Sequence, residues 1–136
     1  MQTAEQITPT LTDKQALDNF ISRDQLRAIN YALRGEEWRL FKDKMREHVA
    51  LVQSMPKTYE QDGKGEQATA YLHYFTGACD WYITERDMEP EQLQAFGLAD
   101  LGYGPELGYI SIAELIGAGA ELDLYFEPKT LAEITK

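Results

Sequence analysis

The chain has 136 residues, 43% hydrophobic and 26% charged, with a formal net charge of −10. That length supports one domain with a real core, no apolar run reaches the about eighteen residues of a membrane span, and the single Cys79 excludes an internal disulfide. Residues 1–60 carry nine Lys/Arg against nine Asp/Glu, whereas residues 61–136 carry four against fourteen, so the acidic excess lies wholly in the second part. Such a surface repels a phosphate backbone, which argues against direct nucleic-acid binding. It would attract a basic protein, and the plain alternative is that the charge serves solubility. The N-terminus lacks the basic and apolar regions of a signal peptide, so a cytoplasmic location is expected.

The first part, residues 1–56, reads as helical. Thr12 to Gln15 and Ser22 to Gln25 both fit capping boxes, in which the first side chain and the fourth exchange bonds with each other's backbone N–H groups. Gly35 is expected to stop or bend the second helix. In the segment EEWRLFKDKMREHVALVQSM, the residues Trp38, Phe41, Met45, Val49, Val52 and Met55 form one apolar stripe at helical spacing. Pro56 ends it by disfavouring helix at Met55. The stripe reads as core, and a partner-binding or self-associating face is the alternative. Residues 57–68 read as a polar, mobile loop.

From residue 69 the period changes to two. ATAYLHYF and DWYITER read as strands joined by a hairpin at Thr76–Cys79, with Trp81, Ile83 and Glu85 on one face. DMEPEQLQ reads as a solvated acidic loop. AFGLADL and ELGYISI read as two further strands, joined at Gly102-Tyr103-Gly104-Pro105 by a turn. The spacing of Gly102, Gly104 and Gly108 is one residue too long for a dinucleotide fingerprint, and a strand follows where a helix is needed, so the glycines do not cradle a phosphate. Gly97 and Gly108, inside strands, point to bulges or a close backbone approach. Ser111 to Glu114 opens a short helix, LDLYF reads as a last strand ended by Pro128, and Thr130 to Glu133 starts a final helical turn. The fold expected is α+β, with N-terminal helices packed on a four- to five-stranded mostly antiparallel sheet.

FGLADLGYGPELGYISIAEL followed by DLYFEP resembles the signature of an uncharacterised family of phage, plasmid and conjugative-element proteins, roughly FGLxxLG…ELGYxSLxEL…DLxFxP. The W-Y-x-T-E-x-D segment at Trp81–Asp87 adds to it. The resemblance covers about residues 69–128, and this chain has only IGAGAEL where many members carry a longer insert. The helical N-terminal part lies outside it and could be an appended adaptor. The resemblance implies a setting, accessory proteins acting on host machinery or defences, and no activity.

No cofactor motif, catalytic group or metal site is assigned. His73, Cys79 and Asp80 lack the paired spacing of a zinc site, and His73 reads as a satisfied strand residue. No spacing singles out a carboxylate pair for acid–base or Mg²⁺ chemistry, although a small carboxylate- or metal-dependent enzyme stands as an alternative. Tyrosines beside carboxylates, with few lysines, resemble an interface. The expected partner-binding residues are Tyr82, Asp87, Tyr103, Glu106 and Tyr109, with Tyr103 exposed at the turn. They would face a basic protein, including a nucleic-acid-binding host complex.

Overall fold

The structure, a computed structural model, describes residues 15–136. The capping box expected at Thr12–Gln15 falls largely outside them. Helix α1 (Arg23–Ala32) starts where Ser22 turns extended and accepts the Gln25 N–H at 3.1 Å. The other half of the expected box is replaced. The Gln25 amide reaches across the fold, donating to Leu122 O and accepting from Leu122 N, both at 2.8 Å. A tertiary backbone pair thereby outcompetes the local one.

Helix α2 (Trp38–Ser54) ends at Met55, whose extended backbone (ψ 157°) meets the restriction Pro56 imposes. Met45, Val49, Val52 and Met55 of its stripe are buried, and Trp38 and Phe41 are half-buried. The four buried ones pack with Leu17, Phe20 and Ile29 against one sheet face. Each buried Leu, Ile, Val or Met side chain there contributes roughly 1.5–3 kcal/mol before entropy is subtracted.

After a 3₁₀ turn at Gly65–Gln67 come β1 (Thr69–Ala70), β2 (Leu72–Thr76), β3 (Cys79–Glu85), β4 (Ala95–Asp100), β5 (Pro105–Ile110), α3 (Ile112–Gly117), β6 (Glu121–Leu122), β7 (Lys129–Thr130) and α4 (Leu131–Ile134). Five strands form an antiparallel sheet in the order β5-β4-β3-β2-β6, and β1 pairs with β7 in a second, two-stranded one. The α+β architecture is the one expected.

Two strands differ from expectation. ATAYLHYF is broken at Tyr71, so β1 leaves the main sheet to meet β7. LDLYF keeps only Leu122 in a strand. Asp123 accepts the Tyr125 N–H at 2.9 Å, and this local bond folds the chain out of the sheet. The final box forms in full: Thr130 and Glu133 cap each other at the start of α4.

Leu72, Tyr74, Ile83, Ala95 and Ile110 face the helices. The opposite sheet face is not bare: Ala68, Ala70 and Leu131 pack on Leu98, with Tyr82, Phe126 and Ile134 around them. Between Ile83 and Glu85 the β3–β4 register slips by one residue. This bulge moves Glu85 off the Trp81–Ile83 face, where alternation put it, and pairs it with Phe96 on the opposite one. Gly97 sits at the same place because a Cβ there would lie 2.0 Å from Tyr82 O. Gly108, paired with Gly97, has nothing among the described residues within 4 Å of where a Cβ would lie, so no close approach there explains it. Gly102 and Gly104 turn the chain with φ of 97° and 105°, as a strand-joining turn requires.

Candidate functional site

The expected partner-binding residues divide between two ends of the sheet. Tyr103, at the β4–β5 turn, is 95% exposed. Glu106 follows on edge strand β5, also exposed. Tyr82 lies near this end on the face turned away from the helices. It is half-buried and stacks on His73, with ring centroids 4.6 Å apart and planes at 8°. Asp87 and Tyr109 belong to the other end. Asp87 is a loop organiser: its carboxylate accepts the Glu89 N–H at 3.3 Å and the Gln94 N–H at 3.1 Å. Tyr109 stands on the second face of β5, edge-on to Phe96, with its hydroxyl 2.5 Å from that of Tyr59.

Strand pairing then assembles a group that linear spacing does not show. Asp80 on β3 is directly opposite Asp100 on β4, a like-charge pair that costs stability on its own. His73, on β2, lies beside it. Its Nε2 is 2.7 Å from Asp80 Oδ1 and its Nδ1 is 2.9 Å from Asp123 Oδ2. Each ring nitrogen therefore faces a carboxylate, and His73 is a half-buried strand residue, as its alternation with Leu72 and Tyr74 implied. Asp100 accepts the Gly102 N–H at 3.0 Å and shapes the turn that carries Tyr103. Burial, then the charges of Asp80, Asp100 and Asp123, raise the Tyr82 phenol above its ordinary value, so it stays neutral at physiological pH. Among the described residues, no Lys or Arg forms an ion pair with these three carboxylates. No group of three or more His, Cys, Asp or Glu among them is disposed to hold a metal ion. Cys79 is a half-buried free thiol paired with Thr76.

Linear spacing does not reveal the roles of Asp80, Asp100 and Asp123, because their proximity depends on β3–β4 register and on the turn after β6. Residues 57–68 are expected as a polar, mobile loop and residues 87–94 as a solvated acidic one. Both are fastened. Gln61 donates to Thr69 O and Thr84 O at 2.8 Å and accepts from Thr69 N at 2.9 Å. Buried Gln92 accepts the Asp87 N–H at 2.9 Å, and its carbonyl accepts the Ile112 N–H at 3.0 Å. A lone Gln in an acidic loop carries no pattern that announces burial.

These features define a class: an α+β protein whose antiparallel sheet carries helices on one face and an acidic, aromatic cluster on the other. The chain belongs to the family described as Protein of unknown function (DUF2958), whose model matches residues 41–133. The match starts within α2, so that helix is part of the family's unit and is not an appended adaptor. No curated protein and no solved structure matches. No helix among the described residues is long and apolar enough to cross a membrane.

Proposed function

We propose that this chain is a non-enzymatic accessory protein of a mobile genetic element that binds a basic protein, including the nucleic-acid-binding component of a host defence complex. The observation that carries the binding reading is the carboxylate group at Asp80, Asp100 and Asp123 around Tyr82, none of it ion-paired to Lys or Arg among the described residues, beside exposed Tyr103, with Glu106 exposed on the other face of edge strand β5. Leu101 and Leu107, each about half exposed, supply apolar contact next to it. An acidic rim around aromatic anchors fits a partner rich in Arg and Lys, which would gain charge-assisted bonds and stacking. The mobile-element setting is supported by the resemblance of FGLADLGYGPELGYISIAEL to such proteins.

The test is affinity capture from host lysate with nuclease treatment, at low and high salt, using the natural chain and the double variant Tyr103→Ala/Glu106→Lys. The expected result is a basic protein retained after nuclease, lost in high salt and depleted by the variant. Capture that requires nucleic acid, or that the variant does not weaken, refutes the reading.

A further inference from the structure

At the other end of the same sheet face, residues 57–65 lean over β3, β4 and β5 and enclose a cleft of about 250 Å³. Glu85 lies within it, Phe96 and Tyr109 form one aromatic corner, Tyr59 meets Tyr109 hydroxyl to hydroxyl at 2.5 Å and Asp62 stands in the lining. Glu85 is 4% exposed, and its two oxygens accept the N–H groups of Tyr59 at 2.5 Å and Gln61 at 3.1 Å. Those bonds satisfy donors but supply no positive charge. No Lys, Arg or His lines the cleft or pairs with Glu85 among the described residues. Buried carboxylates are ordinarily paired with a cation, because the desolvation cost of a lone charge is several kcal/mol.

Three further observations describe what would pair with it. Tyr59 and Tyr109 remain 64% and 56% exposed although their hydroxyls pair with each other, so their side chains are accessible at the mouth. Tyr59 adopts φ of 79°, a conformation rare for a bulky residue, and the Glu85 bond to its N–H holds it there. Bonding to Tyr59, then burial and the charges of Tyr59, Asp62 and Glu85, raise the Tyr109 phenol above its ordinary value. A carboxylate has about four acceptor sites, so Glu85 keeps room for single donors. With each oxygen already engaged by an amide, the two-pronged edge that a guanidinium prefers is occupied, whereas a compact ammonium needs only one site at a time. Aromatic faces complete the environment that ammonium groups favour.

We propose that this cleft is a binding site for an alkylammonium group, with the charge against Glu85 and Asp62 and the apolar stem against Phe96, Tyr59 and Tyr109. The site is separate from the Tyr82 cluster and stands without the protein-binding reading. A free polyamine and a lysine side chain share the required chemistry.

The test is an amide NMR titration of the full chain with n-butylammonium chloride, with n-butanol and sodium chloride as matched controls. The expected result is saturable shifts at Tyr59, Gly63 and Gly65 with the amine and not with either control. Asp62→Asn and Tyr109→Leu each weaken binding about two- to fivefold, the scale of one exposed charge or cation–π contact. Both replace exposed side chains, and unchanged signals from β2 confirm that the fold is kept. Spermidine and Nα-acetyl-lysine-N-methylamide then separate the sources: tighter binding of the first assigns the site to a free polyamine, and of the second to a protein side chain. Equal shifts with butanol, no saturation by about 100 mM, well above the millimolar affinity of a weak single-group site, or wild-type affinity in both variants would overturn the proposal.

Discussion

Replacing Gly97 by alanine tests the account of the β3 bulge most directly. The added Cβ would lie 2.0 Å from Tyr82 O and 3.0 Å from Ile83 Cα, and contacts under 3.0 Å are essentially never seen for a real Cβ. Both obstacles are backbone, so no rotamer change relieves them, and β4 must move by about an ångström from its central neighbour. Overpacking of a well-filled interior costs about 1–3 kcal/mol, occasionally more; a clash with two backbone atoms belongs at the upper end, about 3 kcal/mol. Gly108 is an internal control because it is the direct partner of Gly97 across β4 and β5, its Cβ would meet nothing within 4 Å, and its φ is not left-handed. Gly108→Ala should be neutral or stabilise by about 0.4–1 kcal/mol through the unfolded chain. Urea unfolding followed by Trp fluorescence reads both. With a slope of about 1–3 kcal/mol per molar, the two midpoints should differ by at least about 1 M. Coincident midpoints would mean that the close approach of β4 to the bulge does not exist.

Two further outcomes follow from particular contacts. Gln25→Ala removes both bonds to Leu122 and should cost about 1–3 kcal/mol; it should also speed hydrogen exchange at the Leu122 amide, which Ser22→Ala, a cap loss of about 1 kcal/mol, should leave unchanged. Buried His48 donates from Nδ1 to Lys44 O at 3.1 Å, while its Nε2 has no hydrogen-bond partner among the described residues. Burial pulls its pKa below 6.5 and Lys44 adds to this, against the Lys44 carbonyl bond and the charges of Glu47 and Asp123, which raise it. The unfolded chain therefore binds the proton more readily, so stability is full above 6.5 and falls as the pH drops from there toward the folded-state value. His48→Leu should flatten the dependence of the urea midpoint between about pH 7 and 5 relative to the natural chain, the range in which histidines titrate, and an unaltered slope would refute the assignment.

The sequence by itself determined the elements whose signals are local. The α2 stripe, its stop before Pro56, the Thr76–Cys79 hairpin, the Gly102–Gly104 turn and the Thr130–Glu133 box each depend on residues within one or two turns of one another, and each formed. The exposure of Tyr103 was legible for the same reason: a turn tip between glycines has no neighbour to cover it. Tertiary structure decided whatever depends on which strands meet and in what register. One extra residue at Thr84 moved Glu85 to the other sheet face, because side chains alternate with period two and a single slip inverts them. The same pairing set Asp80 opposite Asp100, brought His73 between Asp80 and Asp123, and fastened the 57–68 segment over the cleft through Gln61 and Glu85. Those partners are separated by about seven to fifty positions in the chain, and only the assembled sheet brings their side chains within reach.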